Sequence, residues 1–343
     1  MAFYDGLFDA LGLRDWCDAD ATGGPMTMAE LLARSRGADV EEGAGFPFPS
    51  LDELHRACDA VPRTRDLTEW LEEGFLAIRN PMRVVLDPAT QPLSVSLDGT
   101  LDLFTWMPWW VLVPLLVLGT WFASRSAGVT ALVAAGFAFL GFVDHLEPAL
   151  ETLAIIFVCT TICILIGVPV GIAMSKRREL RNAITPVLDL LQTLPTFVYL
   201  IPLIFLFSVT ESKLYGIAII LYAIVPVIRL TDLGIRLVDP AVTEAADAFG
   251  MTPNQKLWKV ELPLALPNIM AGVNQTIMMS LAMVVIASLV SAPGLGVLVL
   301  RGIRNLELGV GLVAGLGIVL LAVMLDRASK AALERVDRSG GGA

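Results

Sequence analysis

From Trp106 onward the chain alternates long apolar runs with short polar ones. The runs are Trp106–Ala123, Gly128–Val143, Leu150–Met174, Ile184–Phe207, Leu214–Leu230, Asn268–Val290 and Leu308–Leu325. Each is near the roughly 20 residues that a helix needs to cross a hydrocarbon core, the second being the shortest. The pattern predicts an all-α polytopic membrane protein with seven transmembrane helices. Upstream, Leu67, Trp70, Leu71, Phe75 and Ile78 recur at helical spacing, with Glu69, Glu72 and Glu73 opposite. That stripe predicts an amphipathic helix over 67–79, lying on the membrane surface or on the transmembrane body. A similar pattern covers 93–104. Trp106, Trp109 and Trp110 follow at the depth of an aromatic belt. Residues 20–50, rich in Gly, Ala and Pro, read as loosely structured. The chain thus divides into a tail (1–105), two accessory helices (106–143), a core (148–327) with a polar loop at 239–267, and a short C-terminal tail (328–343).

Composition sharpens this picture. Of 343 residues, 55% are hydrophobic and 17% charged, where a soluble domain carries about 25% charge. That excludes a disordered chain, a nucleic-acid binder and most soluble enzymes. The net charge of −10 is concentrated in the tail, which holds 19 acids, 8 arginines and no lysine, whereas the body holds 15 acids and 16 bases. The tail's acidity could suit a saline exterior, but a plain solubilising role is favoured. Met1–Ala10 has two acids, no base and no long apolar core, so no signal peptide is expected there. Cys159 and Cys163, one helical turn apart in an apolar run, read as small packing residues. Cys17 and Cys58 could pair only if the tail lies outside the cytoplasm. His55 and His145 are isolated, and no metal-ligand cluster or catalytic constellation is visible.

The basic residues set an expected orientation. Lys176, Arg177, Arg178 and Arg181 follow the third run. Arg229, Arg236, Lys256 and Lys259 lie in or beside the loop after the fifth. Arg327, Lys330, Arg335 and Arg338 follow the seventh, and Arg125 the first. One side therefore collects 13 of the body's 16 bases, leaving Lys213, Arg301 and Arg304 on the other. The rich side should be cytoplasmic, which places the C-terminus inside and the tail outside.

The loop 239–267 carries the strongest local signal. Asp239 is an N-cap followed by Pro240 at the first helical position, and Gly250 suits a helix-ending residue of positive φ. Thr252 and Gln255 form a capping box for a second helix, which Pro263 and Pro267 are expected to break. Such a compact helix–turn–helix could be an ordinary structured loop or a rigid knob for a partner's groove. In the second case Ala245, Ala246 and Ala248 permit close approach and Glu244 offers a charge.

Here the residues resemble a known family. Glu244-Ala245-Ala246, Gly250 and Leu262-Pro263 through Pro267 are similar to the EAA loop of binding-protein-dependent ABC importer permeases. Leu190–Pro202, Arg229–Gly234, Ile269–Thr276, Val284–Gly296 and Arg301-Gly302-Ile303 resemble the glycine betaine/proline betaine subfamily. The resemblance covers roughly 65–330; residues 1–60 carry none. Glu211 and Lys213 depart from it, standing where a small Gly-rich turn is expected. The resemblance implies a type I, MetI-like fold and a permease working as two copies of itself. It implies two copies of a separate ATPase subunit, which holds ATP and Mg, and a periplasmic substrate-binding protein. Glu244, Ala245, Ala246, Gly250 and Pro263 would couple to the ATPase. In agreement, the chain has no Gly-x-x-x-x-Gly-Lys-Ser/Thr loop, so no cofactor is expected in it, and no enzyme activity. No fused binding domain is expected after the Gly-rich end.

The implied cargo is a compatible solute bearing a methylated ammonium: glycine betaine, proline betaine, choline or trimethylamine N-oxide. An aromatic cage is the usual recognition for such a cation. The core runs hold no tryptophan and few aromatics (Phe197, Tyr199 and Tyr222 foremost), so selectivity is expected mainly in the binding protein. Polar groups at membrane depth are Gln192, Thr193, Thr196 and Tyr199 in the fourth run, and Asn274, Gln275 and Ser280 in the sixth. They could line a path or bond neighbouring helices. Gly167, Pro169, Gly171, Pro195 and Pro202 could supply kinks or fixed packing. Asp189 and Arg229 are read as a pair. Alternatives are an ion-coupled secondary transporter of the same solutes or an osmosensing channel. Against the first stand the lack of an inverted repeat and the few intramembrane acids.

Overall fold

The structure, a computed structural model, describes residues 64–340. The side chain of Tyr199 and those of a few residues at either end lie outside the described set, as do Cys17, Cys58 and the stretch 20–50. The described elements are helices joined by short turns. In chain order they are α1 (Thr64–Trp106), α2 (Trp109–Ser124), α3 (Ala127–Phe142), α4 (Leu146–Lys176), α5 (Arg178–Thr193) and α6 (Leu200–Leu206). Then come α7 (Ser212–Arg236), α8 (Pro240–Ala248), α9 (Pro253–Lys256), α10 (Leu262–Ala287), α11 (Leu295–Arg304) and α12 (Leu308–Gly340).

The chain divides at Pro81 into two units. The described part of the first is the start of α1, where Trp70, Leu71 and Ile78 are exposed. The two amphipathic helices expected at 67–79 and 93–104 are one continuous helix, running through Pro81, Pro88 and Pro92. Past Pro88, Thr90 Oγ1 donates to the Leu86 carbonyl at 2.8 Å.

In the second unit α7 is the central element, packed chiefly on α10 and α4. Its buried positions surround the helix rather than forming one stripe, as expected of a helix enclosed by others. In a bilayer, apolar burial does not drive helices together, so close backbone approach has to. Gly171 of α4 provides it: a Cβ there would lie 2.6 Å from Thr231 Cβ and 2.7 Å from the Ile228 carbonyl oxygen of α7. Gly167, one turn earlier, faces Val227 in the same way. These glycines are therefore packing positions. α4 continues through Pro169 as a single helix. Cys159 and Cys163 are buried and free, consistent with packing roles. A second apolar cluster joins α2, α3, the start of α4, α11 and α12 through Leu112, Phe137, Leu140, Leu295 and Leu321.

Four helical runs are long and apolar enough to cross a membrane: Leu146–Lys176, Ser212–Arg236, Pro253–Val290 and Leu308–Ala332. Two bent pairs raise the count to six, while Ala127–Phe142, at 16 residues, is shorter. Seven spans remain an expectation. The fourth apolar run, Ile184–Phe207, is not one helix. α5 and the helical stretch Thr196–Leu206 meet at 103°. Leu194, before Pro195, is extended (φ −65°, ψ 134°), because the proline ring disfavours helical geometry in the residue before it.

The expected break at Pro263 and Pro267 does not occur. A π-turn, Leu257–Glu261, links α9 to α10, with the Leu262 N–H donating to the Leu257 carbonyl. Pro263 then falls in the first turn of α10, where its missing N–H is tolerated. The run continues from Pro253 to Val290.

Candidate functional site

The loop between α7 and α10 is built by caps. The Asp239 carboxylate accepts the Ala241 N–H at 2.9 Å, and Pro240 opens α8. Gly250 has φ +75°, a conformation that costs a side chain but not glycine. Around it the N–H of Gly250 donates to Asp247 O at 2.9 Å and that of Met251 to Ala246 O at 3.1 Å, satisfying carbonyls that the helix end leaves free. The capping box is complete: Thr252 N–H donates to Gln255 Oε1 at 3.0 Å and Gln255 N–H to Thr252 Oγ1 at 3.4 Å. Lys256 Nζ lies 2.8 Å from both Asp247 oxygens, bracing α9 against α8.

This pair of short helices presents a chemically distinct surface. Ala246 is buried, whereas Glu244, Ala245 and Gly250 are exposed, as is Pro263 beyond the π-turn. Beside them Phe249 is 86% exposed and Trp258 67% exposed. Large aromatics left uncovered on a rigid, charged element are the composition of an interface centre.

One ion pair ties the end of this element to a membrane helix. Glu261, buried in the π-turn, is ion-paired with Lys176 at the end of α4. Within the last turn of α7 itself, the buried Asp232 accepts from Arg236 at 2.8 Å. The expected Asp189–Arg229 pair forms and joins α5 to α7. The helix pair is therefore joined along the chain to α7 and α10, and the π-turn after it is tied to α4 by the Glu261–Lys176 pair. Sequence reasoning missed Glu261. Its signal was a carboxylate set between Lys259 and an apolar run, but its partner lies 85 residues away, beyond any local rule.

The polar residues proposed for a path are not brought into one cavity. Asn274 donates to Asp326 at 3.0 Å and accepts from Ser329 Oγ at 2.7 Å, bonding α10 to α12. Ser280 is buried and 3.4 Å from Thr160 Oγ1 of α4. Gln192, Thr193 and Gln275 are exposed and Thr196 half-buried. At the opposite end of α7, Lys213 pairs with Asp87 of α1 and with Glu211, each at 2.8 Å. Arg83 reaches Asp87 at 3.1 Å and Glu211 at 3.3 Å, closing a four-membered ring of alternating charge. Glu211 and Lys213, the departures from the expected small turn, are thus a clamp on α1. Among the described residues no group of three or more His, Cys, Asp or Glu side chains converges on a metal position.

Comparison with known proteins agrees with this architecture. Residues 164–338 match the family model described as binding-protein-dependent transport system inner membrane component. The chain is 39% identical over 331 residues to the glycine betaine/proline betaine transport system permease protein ProW of Escherichia coli (strain K12). That match covers 94% of this chain and 89% of the relative. It is 44% identical over 211 residues to the glycine betaine transport system permease protein OpuAB of Bacillus subtilis (strain 168), covering 61% and 73%. The inward-facing MetNI methionine ABC transporter, native crystal form, shares the fold at a TM-score of 0.51 and 22% identity. That likeness covers 56% of this chain and 95% of the matched one. With its apolar core helices and capped helix pair, the chain belongs to the family of binding-protein-dependent transport system inner membrane components, the membrane permeases of ABC importers.

Proposed function

We propose that this chain is the permease subunit of an ATP-driven importer for methylated-amine solutes: glycine betaine, proline betaine, choline or trimethylamine N-oxide. The relatives named above carry glycine betaine or proline betaine in their names, which supports the substrate class. The single observation that carries the mechanism is the exposed, fully capped pair α8–α9. Its surface joins Glu244 and Ala245 to Phe249 and Trp258, and its foot is anchored to α4 through Glu261–Lys176.

In this reading two copies of the chain pair with two ATPase subunits, which hold ATP and Mg. The α8–α9 pair lies on the cytoplasmic side, as does the C-terminus, and the acidic tail with α1 lies outside. ATP binding draws the ATPase subunits together and pushes each helix pair. The push passes along α10 and, through the Lys176 pair, along α4, which moves packed helices between two arrangements. Solute delivered by the external binding protein crosses near Gln192, Thr193, Thr196, Tyr199 and Gln275, with Asn274 and Ser280 holding the helices that frame the path. Hydrolysis stays on the partner, in keeping with the missing phosphate-binding loop.

The test is uptake of radiolabelled glycine betaine into proteoliposomes holding this chain, the ATPase subunit and the loaded binding protein. Uptake that requires internal ATP and is abolished by vanadate is expected. Uphill uptake by this chain alone, or uptake driven by an ion gradient, would overturn the reading.

A further inference from the structure

A cavity of about 530 Å³ lies among α2, α3, α4 and α12, closed at one side by the end of α1. Its size suits a sizeable organic ligand. Leu116, Phe137, Phe157, Leu321 and Met324 are among its lining, and no charged side chain lines it. Its three hydroxyls are already engaged. Thr120 Oγ1 donates to Leu116 O at 2.9 Å, Thr161 Oγ1 to Phe157 O at 2.7 Å, and Thr160 Oγ1 to Ser280 Oγ at 3.4 Å. Nothing inside asks for a polar ligand. A betaine would enter with its carboxylate unpartnered, which is unfavourable, so the cavity does not suit such a solute. Left empty, its walls would forfeit dispersion contacts. In a bilayer the medium at hand is hydrocarbon chain.

Charge lies beyond one end. Arg125 caps α2 and sits with its Cζ 5.6 Å from the Phe122 ring centroid, and Arg335 donates to the Phe122 carbonyl. Thr120 and Ala328, on the same two helices, line the cavity five and seven residues before these arginines. That separation is about 7 to 10 Å of helix axis. Among the described side chains no carboxylate pairs with Arg125 or Arg335. Two guanidinium groups without a carboxylate partner among the described side chains, a turn or two of helix beyond one end of an apolar cavity, match a phosphodiester above a hydrocarbon chain.

We propose that this cavity is a binding site for one anionic membrane phospholipid, an acyl chain filling the space and the phosphate bridging Arg125 and Arg335. The lipid would cement the accessory pair α2–α3 to the core helices α4 and α12. The inference rests on the chain lying in a bilayer, not on its solute or its ATPase partner, so it can fail while transport stands.

The test uses the full-length chain in mild detergent, stripped of lipid and offered phosphatidylglycerol or phosphatidylcholine of the same chains, with native mass spectrometry as the readout. Wild type should retain one lipid per chain and prefer phosphatidylglycerol by about tenfold. Arg125→Gln with Arg335→Gln should bring that preference near unity. Leu116→Trp with Leu325→Trp should cut retention by about tenfold by filling the space. Phosphatidylglycerol bearing a mid-chain diazirine serves if the filled variant does not fold, and should label peptides of α2 and α4 that line the cavity. Labelling elsewhere, a wild type that holds detergent alone, or a preference unchanged by the arginine variants would overturn the proposal.

Discussion

The carboxylate of Glu261, buried in the π-turn after the α8–α9 pair, is ion-paired with Lys176 at the end of α4. Among the described residues it is the only ionic link between the run that follows the α8–α9 pair and the first long core helix. Removing one partner from a buried pair is costly because the other charge stays behind, and partial exposure of Lys176 softens that cost. Lys176→Met should therefore destabilise the purified protein by about 1–3 kcal/mol. Glu261→Gln in the same background should recover part of the loss. Thermal unfolding of the four members of this double-mutant cycle in detergent checks it; additive losses would show that the two groups do not act as a pair.

Gly250, at φ +75°, should tolerate no β-branched side chain. Gly250→Val is expected to cost about 1–2 kcal/mol locally and to loosen the exposed end of α8. ATPase subunit binding, measured on the reconstituted complex, should weaken while the membrane helices keep their thermal midpoint.

Reversing the exposed charge at Glu244 tests the docking surface without touching the fold. Glu244→Lys should lower affinity for the ATPase subunit by about tenfold or more if it opposes a basic residue. Detergent-phase unfolding should be unchanged, since surface substitutions usually stay within about 0.5 kcal/mol. Full uptake activity in the variant would remove Glu244 from the coupling surface.

Asn274 and Gln275 separate helix bonding from path lining. Asn274→Ala loses the bonds to Asp326 and Ser329 and should destabilise by roughly 0.5–2 kcal/mol. Gln275→Ala, whose residue is exposed, should leave stability unchanged and alter uptake alone. Paired measurements of melting and transport rate distinguish the two patterns.

The ring of Arg83, Asp87, Glu211 and Lys213 should hold α1 in a salt-sensitive way. Lys213 is buried, so Lys213→Met leaves Asp87 and Glu211 with the partly exposed Arg83 as the one cation of the ring and should loosen α1. Limited proteolysis within 82–106 is expected to quicken in that variant. In wild type it should quicken modestly at high salt, because the other three members are partly exposed and screened.

Much of this protein was legible one residue after another. Apolar run lengths marked the four helices long enough to cross a membrane, and the caps Asp239, Thr252 and Gln255 with Gly250 marked α8 and α9, because capping and helix period are local properties of the chain. Pro195, read only as a possible kink within one run, ended its helix, as the local rule for a residue before proline requires. Other features waited on neighbours distant in sequence. Pro263 did not break its helix, because a π-turn shifted it into a first turn where no N–H is needed. Gly167 and Gly171 were kinks or packing until Val227 and Thr231 were seen against them. Glu261 found Lys176, Lys213 found Asp87, and Asn274 found Asp326 only when separate helices came side by side. Short-range sterics and hydrogen bonds write themselves into adjacent residues. Which helix faces meet is set by the packing of the whole bundle, and no window along the chain contains it.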